Sequence, residues 1–392
     1  MNKILSQVDQ VFPYTSNLRR EFHRQPELGF QEIQTAEIIL RELSKLDGFS
    51  IQSGIAETGI VALLKGSSPG KTVLLRFDMD ALPVTENTGV EYASQNKGVM
   101  HACGHDGHMA IGLTVAKLLA ENYHDLPGQI KFIFQPAEEG LGGAQRMIEA
   151  GVLEDPKPDI ALGLHLWNEK EIGWLGISDG PVMSASETFQ IEIKGKGGHG
   201  GKPHESIDPI VAAANIITSL QSLVSREVPP LDSAVITVSS IHGGETHNVI
   251  PEFVTLEGTI RTFTETTRQL VLERFHQMVD GIAKAHLCSA EIKIIDISPA
   301  VTNQPDVAEV MRQAAVSLFP EAELDTNYQT MASEDMAFLM QDLPGCYSFV
   351  GSANSALGLD AKHHQPDFNF DEEALKTAAA LLVGAVNRFL MD

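Results

Sequence analysis

A chain of 392 residues is too long for one ordinary core, so two domains are expected. Hydrophobic residues make up 43% and charged residues only 20%, which excludes a disordered or low-complexity protein. With 28 basic and 52 acidic residues the formal net charge is −24, which argues against nucleic acid and anionic membranes as partners, because both need clustered Lys and Arg.

The first ten residues, Met1 to Gln10, hold no long apolar h-region, and no stretch of about 18 apolar residues is read further on; a cytoplasmic protein is expected. Short runs rich in Val, Ile, Leu and Phe predict buried strands at Gly59 to Leu64, Lys71 to Phe77, Gln129 to Phe134 and Asp159 to Leu164. A helix starting near Gly107 is predicted from the apolar spacing of Met109, Leu113, Ala116 and Leu119. That alternation is α/β, with a mostly parallel sheet flanked by helices. Polar residues follow the strands: Asp78 and Asp80 after the second, Glu138 and Glu139 after the third, His165 after the fourth. In open parallel sheets the crevice beyond the carboxyl ends of the strands is where sites form.

From Ser184 the rhythm changes. Thr188 to Gly195, Ala234 to Ile241, Glu252 to Thr262 and Ser289 to Ile297 read as strands, and Pro209 to Arg226 and Glu265 to His286 as helices. The order βαββαβ is that of a ferredoxin-like unit. It predicts an inserted domain over 186–299, inside a discontinuous domain formed by 1–185 and 300–392. Of the three cysteines, Cys288 and Cys346 lie in apolar surroundings and read as buried thiols, and three are too few for a disulfide framework.

Chemistry concentrates in His101-Ala102-Cys103-Gly104-His105-Asp106-Gly107-His108 and in Pro136-Ala137-Glu138-Glu139. A thiolate and an imidazole two residues apart suit a divalent ion such as Zn or Mn, and the carboxylates add a hard ligand and a base. Cys103, His105, Glu139, His165 and His364 are the candidate ligands of a two-metal site. Two ions about 3.5–4 Å apart share a bridging water and polarise a carbonyl, which points to amide hydrolysis. One of the neighbouring glutamates can ligate while the other handles the proton of the attacking water. Chemistry alone leaves the order of those roles open; the assignment adopted is Glu138 for proton transfer and Glu139 for metal. Asp80 is expected to support a ligating imidazole. His101 and His108 are expected to cap or orient the loop, and Asp106 to orient a metal-bound histidine.

These motifs, from His23-Arg24-Gln25-Pro26-Glu27-Leu28 to Phe370-Asp371-Glu372, resemble the aminoacylase and carboxypeptidase superfamily of dinuclear metallopeptidases. Cys103, where other branches offer an aspartate, resembles the amidohydrolase branch that includes hippurate hydrolases, indole-acetyl-amino-acid hydrolases and N-acetyldiaminopimelate deacetylases. The resemblance implies that His165 and His364 complete the ligand set, with His363 the second candidate for the last place. It implies two divalent ions, Zn or Mn, with Co or Ni as further options. It also implies that the inserted domain is a lid and homodimer interface, closing over a small N-acyl amino acid. In Gly198-His199-Gly200, His199 is implied to donate to the developing oxyanion, in cis or across the dimer. Asn248 and Arg261 are implied to hold the substrate carboxylate. The activity so implied is hydrolysis of an acetyl-, benzoyl- or indole-acetyl-type amino acid through a metal-bound hydroxide, to a carboxylic acid and a free amino acid. Three rivals follow from the same residues: a dipeptidase or carboxypeptidase of the same fold, a hydrolase with Cys103 as nucleophile and His105 as base, and a non-catalytic metal-binding or dimerisation module.

Overall fold

The computed structural model describes residues 2–121 and 126–391, and the chain divides into two compact units. Met1–Val182, Thr302–Gln329 and Asp335–Asp392 form one; Met183–Val301 and Thr330–Glu334 form the other.

The first unit is built on an eight-stranded sheet, in the order Phe49–Ile55, Gly59–Lys65, Pro127–Gln135, Ser68–Asp78, Ile160–Glu171, Gly345–Ala353, Trp174–Gly176 and Glu323–Asp325. The four strands from Pro127–Gln135 to Gly345–Ala353 pair in parallel, and the Phe49–Ile55 side is antiparallel. Strands buried on both faces read as continuous apolar runs, and Val73, Leu74, Leu75, Phe132, Ile133 and Phe134 are all buried. Helices Asn2–Arg24, His105–Ala120 and Glu373–Met391 pack on one another, and the last two also pack on Ser68–Asp78. The α/β architecture expected from the alternation of strands and helices is the one found.

Three local expectations are corrected. The strand expected to end at Leu164 continues to Glu171, because Gly345–Ala353 lies alongside and pairs Phe349 with His165 and Val350 with Leu166. The helix expected near Gly107 starts at His105, since Gly104 at φ 95° turns the chain into the helix two residues earlier. Helix Glu373–Met391 has the length and apolar composition to cross a membrane, against the expectation of no such stretch, and 72% of its apolar window is buried inside the protein. Ala378, Leu381, Leu382, Ala385 and Val386 place it in the core of the first unit.

The second unit carries a four-stranded antiparallel sheet in the order Ala234–His242, Phe253–Thr262, Ala185–Lys194, Ser289–Ser298. Helices Pro209–Arg226 and Glu265–Ala285 complete the βαββαβ order. The first helix starts where Asp208 accepts the N–H of Ile210 and Pro209 takes the first helical position. Thr264 caps the second by accepting the N–H of Thr267. Phe189, Ile191, Leu220, Leu256, Val271 and Phe275 fill a separate core between sheet and helices.

Candidate metal centre

Sheet register explains how residues far apart in sequence meet in the first unit. Asp78 pairs with Gln135, the residue before Pro136-Ala137-Glu138-Glu139. On the other side Leu75 pairs with Leu162, so Asp78 and His165 lie at the same level, three residues further along each strand. The segment 101–105 leads into its helix from this end of the sheet, and the His364 N–H donates to Ala102 O at 2.7 Å, tying the last predicted ligand to the Cys103 loop. His364 holds φ 65°, an unusual left-handed conformation for a non-glycine residue.

The predicted residues come together in overlapping groups of donor atoms, each with its atoms within 4.8 Å of one another, among them Cys103, His105 and His165; Cys103, Glu139 and His364; and His105, Glu138 and Glu139. Cys103 Sγ lies 3.5 Å from His165 Nε2, and His364 Nε2 lies 3.4 Å from Glu139 Oε1. The opposite ring nitrogens are held by main-chain oxygens: His105 Nδ1 donates to Asp80 O at 2.9 Å and His165 Nδ1 to Leu166 O at 2.7 Å. This leaves both Nε2 atoms facing the cluster. His363, the second candidate, lies with Nε2 3.0 Å from Leu166 O, its ring packed on Trp167 and Phe368.

Charge is unbalanced here. Burial raises the Cys103 thiol well above its ordinary range, and Glu139, Glu138 and Asp78 push it further. Burial alone lowers the His105 imidazole, but Asp78 and Asp80 override it and bring it up to about 10. His165 is driven well down by burial and by the neighbouring His108 and His363. A divalent cation among these groups reverses the first effect by making the thiolate favourable and replaces the proton on His105.

Glu138 and Glu139 sit on a turn. Ala137 holds φ 56°, a cost of about 1–2 kcal/mol for a residue with a Cβ. The turn is held by its own amides: Ala137 N–H donates to Glu32 Oε1 at 2.9 Å, and the Glu138 and Glu139 N–H groups donate to Asp80 Oδ1 and Oδ2, each at 3.0 Å. Three consecutive N–H groups gripping carboxylates form an anion-binding nest occupied by the protein itself.

Further buried polar residues surround the cluster, and of these Arg76 carried no sequence signal. His108 Nδ1 donates to Asp78 Oδ1 at 2.7 Å while its Nε2 accepts from the Leu166 N–H at 3.0 Å, which fixes a neutral tautomer. Buried Arg76 pairs with Asp78 at 2.6 Å and Asp335 at 2.8 Å. Asp106, expected to orient a ligating histidine, instead pairs with Arg19 at 2.8 Å and with His23 at 2.7 Å. His101 is buried with both ring nitrogens lacking a hydrogen-bond partner among the described residues, and burial takes it down to about 4.

The remaining predicted residues lie in the second unit. His199 is exposed on a two-stranded ribbon where it pairs with Val249, and the Gly200 N–H donates to Asn248 O at 2.8 Å, so His199 and Asn248 are neighbours. His199 Nδ1 accepts from the Gly201 N–H at 2.9 Å, which leaves the proton on Nε2. Arg261, half-buried on Phe253–Thr262, donates to Ser333 Oγ at 2.6 Å.

The donor set fits a divalent ion on one further count. His105 Nε2 and Glu139 Oε1 are buried and have no hydrogen-bond partner among the described residues, a state that is costly in a folded protein unless a ligand takes it up. Thiolate, imidazole and carboxylate donors around two such atoms, at the strand ends of a parallel sheet, belong to a metal-dependent hydrolase. Residues 74–388 match the model of Peptidase family M20/M25/M40, and the chain belongs to that family. An IAA-amino acid hydrolase of Arabidopsis thaliana, ILR1-like 4, is 38% identical over 99% of this chain and 88% of its own. An N-acetyl-L-cysteine deacetylase of Bacillus subtilis is 39% identical over 95% of this chain and 87% of its own. Among solved structures, a Bacillus subtilis dinuclear metal binding peptidase from the M20 family superposes with a TM-score of 0.85 at 34% identity, covering 98% of this chain and 99% of that one.

Proposed function

We propose that this hydrolase cleaves N-acyl amino acids, with an acetyl-, benzoyl- or indole-acetyl-type acyl group, to a carboxylic acid and a free amino acid. The observation that carries the metal dependence is the pair of buried atoms without a hydrogen bond among the described residues, His105 Nε2 and Glu139 Oε1, inside the Cys103, His165 and His364 cluster. Two relatives whose names specify amino-acid conjugates or N-acetyl amino acids support the substrate class.

In this reading Cys103, His105, Glu139, His165 and His364 hold two divalent ions, Zn or Mn, with Co or Ni as further options. When bound, such ions polarise the scissile carbonyl and make water a nucleophile at neutral pH. Glu138 takes the proton of the attacking water and returns it to the departing amide nitrogen as the C–N bond breaks, so the base ends each cycle as it began. His199, with its proton on Nε2, donates to the developing oxyanion, and Arg261 with Asn248 binds the substrate carboxylate. The second unit then acts as a lid and as the contact between two copies in a homodimer. Three free cysteines, one of them a ligand, suit a reducing compartment, and the cytoplasm is the proposed location.

The test is hydrolysis of an acetyl-, benzoyl- and indole-acetyl-amino-acid panel with Mn or Zn supplied. Chelator-sensitive release of a free amino acid is the expected result; faster cleavage of the matching dipeptides supports the peptidase reading that the family's name favours. Activity that survives chelation and is lost on thiol alkylation returns the reaction to Cys103 as nucleophile.

A further inference from the structure

Glu32 has no part in the chemistry proposed above, yet it is fully buried and its carboxylate reaches the turn that carries Glu138 and Glu139. It opens helix Ile33–Leu43 but makes no side-chain cap to that helix. Oε1 instead accepts the Ala137 N–H at 2.9 Å, and Oε2 accepts Thr58 Oγ1 at 2.6 Å. The segment that carries it is fitted to this contact. Gly29 comes so near that a Cβ there would stand 2.9 Å from Ala137 Cβ, and Leu28 bridges Ala81, the residue after Asp80. One short segment therefore grips both sides of the turn, the Asp80 end and the Ala137 amide.

We infer that Glu32 is a positioning residue: by holding the Ala137 amide it keeps Ala137 left-handed and so sets where the Glu138 carboxylate stands against the substrate. The inference rests on the assignment of Glu138 to proton transfer. A buried carboxylate that served only to fill space has no reason to choose the amide next to the proposed base, and an apolar residue would fill the place without a desolvation cost. Of the three consecutive amides 137–139, it is the one that Asp80 does not take.

The test compares Glu32→Gln, Glu32→Asp and Glu32→Ala in the full chain loaded with Zn. Gln keeps an acceptor oxygen at the same reach, whereas Asp keeps the charge but is one methylene too short. Expected for Asp and Ala is a fall in kcat of roughly 10–100-fold with KM within about twofold, at wild-type Zn stoichiometry, on the best-cleaved member of the acyl-amino-acid panel. Gln is expected to restore kcat to within about threefold of wild type. Amide hydrogen exchange over residues 136–140 is expected to quicken in Asp and Ala and not in Gln. Wild-type kcat and unchanged exchange in Asp and Ala overturn the inference, as does rescue by Asp and not by Gln, which makes the charge rather than the contact the determinant. If the wild-type protein cleaves nothing on the panel, the proposed function falls by itself, and exchange over 136–140 still decides whether Glu32 holds the turn.

Discussion

His105 Nδ1 lies 2.9 Å from the main-chain oxygen of Asp80 and 3.4 Å from its Oδ1, while the two carboxylate oxygens accept the amides of Glu138 and Glu139. One residue thus contacts an imidazole with its backbone and side chain and holds the turn of Glu138 and Glu139 with its side chain.

Asp80→Asn separates the two roles. The amide replaces one acceptor with a donor facing an N–H group, which leaves a buried donor unpaired at a cost of about 1–3 kcal/mol; the main-chain oxygen that accepts from His105 stays, and the carboxylate charge 3.4 Å from that ring is removed. The expected outcome is a loss of about 10–100-fold in kcat with metal content near wild type, measured by steady-state kinetics and elemental analysis. Loss of metal with kcat per bound ion unchanged contradicts this division of labour.

Glu138→Gln keeps the size of the side chain and removes the group proposed to carry the proton. Turnover is expected to fall by about 10²–10⁴-fold with both metal ions retained. Glu139→Gln, by contrast, is expected to lower metal affinity itself, because Glu139 Oε1 is a buried atom of the cluster without a hydrogen bond among the described residues and would lose its charge. Metal titration of the two variants side by side distinguishes a base from a ligand.

Arg261→Ala tests substrate anchoring. Removal of a charge-assisted contact worth about 1.5–3 kcal/mol is expected to raise KM for an N-acyl amino acid by about 10–100-fold, and to leave hydrolysis of the same compound as its carboxamide nearly unchanged. An equal effect on both compounds shows that the side chain acts through its contact with Ser333 and not through substrate.

A pH dependence of stability is expected from His23, buried between Asp106 at 2.7 Å and Glu86 at 3.3 Å. Burial alone lowers this imidazole; Asp106, with Glu86, reverses the effect and sets it above its ordinary value. Because the folded value is the higher, the stabilisation is fully present below the unfolded value of about 6.5 and is lost as pH rises through the folded value. The Tm gap between wild type and His23→Gln is therefore expected to be widest below about pH 6.5 and to narrow as pH rises above it. A gap that widens with pH contradicts the pairing.

Local signals made much of the fold legible. Helix Pro209–Arg226 has in the structure the bounds read from sequence, because Asp208-Pro209 is a start signal that needs no tertiary context. His165 is the opposite case. Its strand runs on to Glu171 because Gly345–Ala353 lies beside it, and a partner some 180 residues away leaves no mark on local periodicity. The turn under Glu138 and Glu139 was not legible, because it is made by Ala137 at φ 56°, and a left-handed alanine has no compositional signature. Asp106 lies beside a candidate ligand in sequence yet faces Arg19 and His23, since neighbours on a helix point about 100° apart. Chemistry-bearing residue types were visible; the carboxylates that hold their backbone, Asp80 and Glu32 on Glu138's turn, became visible only with the chain folded.

The most direct test of the account is a metal titration of the protein stripped by chelator, following hydrolysis of the best-cleaved acyl amino acid as Zn or Mn is returned. The account predicts no turnover without metal and recovery that saturates at two equivalents per chain, with Cys103 shielded from alkylation as the site fills. Full activity in the stripped protein, or saturation unrelated to protection of Cys103, contradicts it.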